Sequence, residues 1–267
     1  MLNRNKLIHG TTILFLSAVF LIQSAGAFSY NFLNDATLRE SETMTTSTSP
    51  YFWLNSGAYL KMYGARGHTN EGELGLNDRF RLYYSVDNPI DTDNGFHPQN
   101  IFRLITKEKW KNFRQEIYFK VTNDNLSPSP NRDGHNGLLL FNRYLDSDNL
   151  YYIGVRVDGT AIIKKKQYGV YTTLVQIPGI YPGVYNRITN PSLIPKNKWI
   201  GIRSEIKDNP DGSVNIKLYT DKNWNGVWTK VAEVNDNSNP ITGQGNAGIR
   251  TDFMDVTMDN YKANEMA

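Results

Sequence analysis

The sequence predicts an all-β protein, a sandwich or barrel of short strands. From Tyr51 to the end of the chain, aromatic and β-branched segments alternate with clusters of Asn, Asp, Gly and Pro. No comparable stretch sustains a 3.6-residue apolar period. No internal repeat is visible. Short strands at regular spacing with turn signals between them build sandwiches and barrels rather than helical or α/β folds.

The first element is not part of that domain. Arg4 and Lys6 precede an apolar run from Ile13 to Ile22, and Ala25-Gly26-Ala27 supplies small residues for cleavage. Residues 1–27 therefore read as a secretory signal. The run is about half the ~20 residues that a spanning helix needs. A secreted product, extracellular or periplasmic, with no membrane span is expected. Residues 28–50 follow as a polar, Ser/Thr-rich lead-in expected to be flexible. Residues 51–267 then form the sandwich domain.

Composition narrows the chemistry. With no cysteine, thiol nucleophiles and Cys-ligated zinc are excluded. The net charge is +3, and the two bases that leave with the signal reduce it to about +1. Nucleic-acid binders carry a basic excess or stripe, so a nucleic-acid partner is not expected. His68, His97 and His135 have no metal-ligand spacing, and no cofactor is expected. Asp87 to Phe96 (DNPIDTDNGF) offers oxygens for a structural calcium, and Asp221 to Trp228 (DKNWNGVW) reads as a plain hairpin turn.

Strands follow in order. Phe113 to Val121 places Ile117, Phe119 and Val121 on one side and Glu116, Tyr118 and Lys120 on the other. Gly137 to Arg143 is a second strand. Between Tyr152 and Lys165, Asp158-Gly159 reads as a two-residue hairpin turn. That turn pairs Val155 with Ile162 and Tyr152 with Lys165, so Tyr152, Gly154, Arg156, Ile163 and Lys165 share the face away from the core. An outward Arg156 would support little stability. Ile177 to Pro195 is too rich in proline for a strand and reads as a long binding loop carrying Tyr181, Tyr185 and Arg187. Trp199 to Ile206, Val214 to Tyr219 and Val227 to Val234 complete the alternating segments.

Gly245 to Ala263 (GNAGIRTDFMDVTMDNYKA) and Ile216 to Asp236 resemble the closing strands of concanavalin A-like lectin/glucanase domains, including laminin G-like and polysaccharide lyase-like branches. The resemblance implies an all-β, two-sheet antiparallel jelly-roll sandwich, with one sheet curved and its concave face used for sugar chains. A hydrolase of that kind needs paired acids at close spacing. Glu71, Glu73 and Asp78 are wrongly spaced, and Asp252, Asp255 and Asp259 include no Glu.

A secreted, monomeric polysaccharide-binding protein is therefore expected. Tyr118, Arg143, Tyr152, Arg156, Lys165, Tyr181 and Tyr185 are the candidate contacts. The alternative is a lyase cleaving a uronate glycan by β-elimination, with Tyr152, Lys165 and His135 as candidate catalytic groups. A structural surface or matrix protein is the second alternative.

Overall fold

The computed structural model describes residues 27–266, so the expected signal lies outside the described residues except for Ala27. The chain begins with β1 (Phe28–Tyr30), β2 (Ala36–Arg39), β3 (Phe52–Ser56), β4 (Tyr59–Tyr63) and β5 (Arg66–His68). Helix α1 (Arg79–Asp87) follows, its N-terminus capped by the Asp78 carboxylate accepting from Phe80 N at 2.8 Å. Next come β6 (Ile101–Trp110), β7 (Phe113–Asp124), β8 (Gly137–Asp146), β9 (Asn149–Arg156), β10 (Ala161–Gln167) and β11 (Val170–Ile177). The chain closes with β12 (Trp199–Asp208), β13 (Val214–Asp221), β14 (Thr229–Asp236), β15 (Gly245–Asp252) and β16 (Met254–Glu265).

These strands form two open antiparallel sheets, consistent with the expected jelly roll. One has nine strands, ordered β14-β13-β12-β7-β16-β5-β4-β2 with β1 also on β16. The other has seven, ordered β11-β10-β9-β8-β15-β6-β3. Between them Phe119, Ile117, Ile202, Leu140, Ile153 and Ile249 form a continuous core, each at most 1% exposed. No helix among the described residues is long and apolar enough to cross a membrane.

Two expectations need correction here. Residues 28–50 are not simply a flexible lead-in, because β1 pairs with β16 and β2 with β4, and Phe32 and Leu38 are buried. These strands are too short for a period to be read, and long-range pairing supplies what local pattern lacks.

The hairpin between β9 and β10 has three loop residues, Val157 to Gly159, rather than two. Arg156 N donates to Thr160 O at 2.8 Å, and Gly159 takes the left-handed conformation at φ +79°. Ile162 therefore pairs with Gly154, and Lys164 with Tyr152. A slip of one residue turns every β10 side chain to the other face. Ile162 and Lys164 point outward, while Ile163 and Lys165 point in.

Candidate functional site

The outer face of the seven-stranded sheet carries the site. One ladder runs Gln176, Ile162, Gly154, Leu139, Arg250, Arg103 across β11 to β6. The adjacent row places Lys164 beside Tyr152 and Tyr152 beside Phe141. The loop before β8 rises along one side. Together they enclose a cavity of about 350 Å³ lined by Tyr152, Arg156, Lys164, Tyr171, Arg250 and His135. A second cavity, about 470 Å³, continues it toward α1 and shares Asn131, Asn136, Arg250 and Asp252.

Arg250 sits at the junction. Its Nε donates to Asp252 Oδ1 at 2.7 Å, and its guanidinium lies 5.4 Å from the Tyr152 ring centroid. The Tyr152 and Tyr171 hydroxyls are 3.4 Å apart. Burial raises the Tyr152 phenol well above its ordinary value. Burial also pushes Tyr171 up, but the Tyr152 hydrogen bond and the charges of Arg250 and Lys166 outweigh it. The Tyr171 phenol is thereby held below the ordinary tyrosine value. The Lys164 and Arg103 side chains make no hydrogen bond or ion pair among the described residues, and burial lowers the Lys164 ammonium. The face thus presents two uncommitted cations, two fixed ones in Arg250 and Arg156, and a phenol pair.

Only part of the sequence-predicted set meets here. Tyr152, Arg156 and His135 do, with His135 Nδ1 3.1 Å from Asp133 Oδ2. Arg156 is more committed than expected. It is 5% exposed, donates to Gly134 O at 3.1 Å and Gln176 Oε1 at 3.4 Å, and pairs with Asp158. It therefore ties the loop before β8 to the sheet and is not a freely outward side chain.

The other candidates lie elsewhere. Lys165 faces inward and pairs with Asp236 at 2.8 Å. Tyr118 is on the outer face of the opposite sheet, donating to Asp221 at 2.9 Å beside Trp224 and Trp228. Arg143 follows a break in the β8 register, with φ +51°, and turns fully inside. There it donates to Ile241 O at 2.7 Å and pairs with Asp208 at 2.6 Å. Tyr181, within the Ile177 to Pro195 loop, is buried in the main core, its N donating to Gly159 O. Tyr185 packs behind the site near Gly134, and Arg187 donates to Pro128 O and Ser129 O.

Lys164, Tyr171, Arg103, Arg250 and Asp252 were missed as candidates. The alternation in IFRLIT and AGIRTD does place Arg103 and Arg250 opposite Leu104 and Ile249, so that signal was present. In the stretch considered for calcium, Asp91 accepts from Ser129 Oγ at 2.6 Å and Asn131 Nδ2 at 2.9 Å. Asp93 accepts from Ser127 Oγ and lies 3.0 Å from His97 Nδ1. These carboxylates are committed to holding loops together.

Glu40 lines the second cavity. Burial raises its carboxyl, against hydrogen bonds to Oε2 from Ala58 N and Tyr84 Oη, both at 2.8 Å. The folded state therefore holds this proton more tightly than the unfolded chain. Its contribution to stability is fully present below the unfolded value and is lost as pH rises through the folded value. Glu40→Gln keeps an accepting oxygen without the charge. Melting curves from pH 4 to 7, a range of about the ordinary glutamate pKa upward, should show the variant gaining on the parent as pH rises. A constant difference would show an ordinary carboxyl.

No family model matches the sequence, and no curated protein matches it. Among solved structures, the chain is similar to carbohydrate-binding module CBM66 from Bacillus subtilis. The identity is 14% over 62% of this chain and 82% of that one, with a TM-score of 0.43. It is also similar to the exoplasmic/lumenal domain of VIP36 in a Ca2+/Man3GlcNAc-bound form, at 9% identity, 86% and 89% coverage, and a TM-score of 0.44. A β-glucanase from Bacillus licheniformis is similar at 11% identity, 92% and 100% coverage, and a TM-score of 0.46.

Proposed function

We propose that this is an exported, monomeric polysaccharide-binding protein that seats an acidic glycan along the outer face of the seven-stranded sheet. Export rests on the residue pattern of positions 1–27. The observation that supports the glycan reading is the convergence of Lys164, Arg103 and Arg250 with the Tyr152–Tyr171 pair on one open face. The cations meet a uronate carboxylate through charge-assisted hydrogen bonds, and the phenol pair offers an amphipathic wall to a sugar ring.

Calorimetric titration with an oligouronate and a neutral glucan tests this. The oligouronate should bind and the glucan should not, and affinity should fall with added salt. Lys164→Ala should weaken binding by about 1–3 kcal/mol. Equal affinity for both sugars, or none for either, would sink the proposal.

Tyr171 favours a second reading, a lyase. With its phenol held low, Tyr171 would remove the proton beside a uronate carboxylate held by Arg250 and Lys164. The electron pair would then form a double bond and expel the glycosidic oxygen, leaving an unsaturated end. Ultraviolet absorbance during incubation with polyuronates detects such ends. Tyr171→Phe should abolish the signal while binding persists. A flat trace with binding intact leaves the binding reading alone.

A further inference from the structure

We infer that the groove takes, beside the acidic sugar, a neighbouring sugar unit that donates hydrogen bonds, so that it prefers a glycan alternating acidic units with neutral or amino sugars over a plain polyuronate. The inference rests on the acidic-glycan reading and concerns the half of the groove next to α1.

The two halves differ in what they offer a ligand. Around Tyr152, the uncommitted group is the Lys164 ammonium, a donor. In the 470 Å³ cavity Glu40, Asp87, Asp91 and Asp252 stand with Asn55 and Asn88 around Arg103 and Arg250, and Glu40 and Asp91 already accept hydrogen bonds from within the protein. A second carboxylate in that half would meet four acids set around the two arginines. Sugar hydroxyls or a protonated amine would find partners.

Asp252 makes the point specific. Its side chain is 3% exposed and lines both cavities. Oδ1 receives the Arg250 Nε hydrogen bond, and Oδ2 is buried with no hydrogen-bond partner among the described residues. A buried carboxylate oxygen left unpaired is costly. An O–H or N–H group of a sugar at the junction satisfies it, while a ligand carboxylate there would be repelled. Arg250 and Asp252 thus set an acceptor directly beside a cation, matching a donor on one sugar next to an anion on its neighbour.

The test is calorimetric titration of the protein with three oligosaccharides of equal length. These are an oligogalacturonate, an alternating glucuronate–glucose oligomer and an alternating glucuronate–glucosamine oligomer. At least one alternating oligomer should bind about tenfold more tightly than the homopolymer, a modest discrimination for a site built to receive a hydrogen bond. The stronger of the two identifies hydroxyl or amine as the donor. Asp252→Asn puts a donor in place of the empty acceptor and should collapse that preference. Asn55→Ala, on the far wall, should reduce the preference too, and it serves if the Asp252 variant does not fold. Equal or tighter binding of oligogalacturonate overturns the alternation while leaving acidic-glycan binding standing. Failure of all three to bind overturns both.

Discussion

Lys165→Ala is expected to cost about 3–5 kcal/mol of stability, the usual loss when one partner of a buried ion pair is removed. Lys164→Ala, one residue away, should leave the melting temperature nearly unchanged and weaken glycan binding instead. Lys165 Nζ lies 2.8 Å from Asp236 Oδ2 and donates to Asn239 O at 3.1 Å, with both charged side chains nearly sealed from water. Asp236 also accepts from Tyr151 Oη at 2.7 Å. Without Lys165 that carboxylate stays buried with a single phenol and a backbone amide for company. A domain of this kind has only about 5–15 kcal/mol in total, so the variant should unfold at markedly lower denaturant. Urea melts of both variants, followed by titration with oligouronate, measure the two effects separately. The reverse outcome, a stable Lys165 variant that fails to bind, would restore the two-residue turn and the opposite register.

That pair of lysines shows where the sequence stopped being informative. Alternation located β7, β12 and β13 almost to their ends, and an apolar run located β8, whose first eight residues are all buried. The same alternation correctly turned Tyr152 and Arg156 away from the core. What it did not contain was the length of the loop around Asp158-Gly159, since two- and three-residue loops share that dipeptide. One residue of loop decided whether Lys164 or Lys165 reached the groove. Arg143 was misplaced for a related reason. The β8 register breaks after Asn142, and no residue type in FNRYLD signals the break. Arg103 and Arg250 were legible as outward side chains. Their meeting on one ladder depended on β15 pairing with β6 across a long stretch of chain, which a single sequence does not state.

Val155→Asp is expected to abolish the native fold. Val155 is fully buried in the main core, paired with Leu138 on β8 and Ala161 on β10. An aspartate there would carry a charge with no cation beside it, at a cost of several kcal/mol or more. The chain would instead lose its packing, seen as vanished near-ultraviolet dichroism and aggregation on expression. Arg156→Ala is the informative neighbour. It removes the links to Gly134, Gln176 and Asp158 without touching the core, so it should cost only about 1–3 kcal/mol. It should also loosen the loop that brings His135 and Asn131 to the cavity, so glycan binding weakens in a protein that still melts cooperatively. If Val155→Asp instead melted near the parent temperature while Arg156→Ala unfolded, the faces of β9 would be reversed. Tyr152 would then point inward, and the groove would lose its aromatic wall.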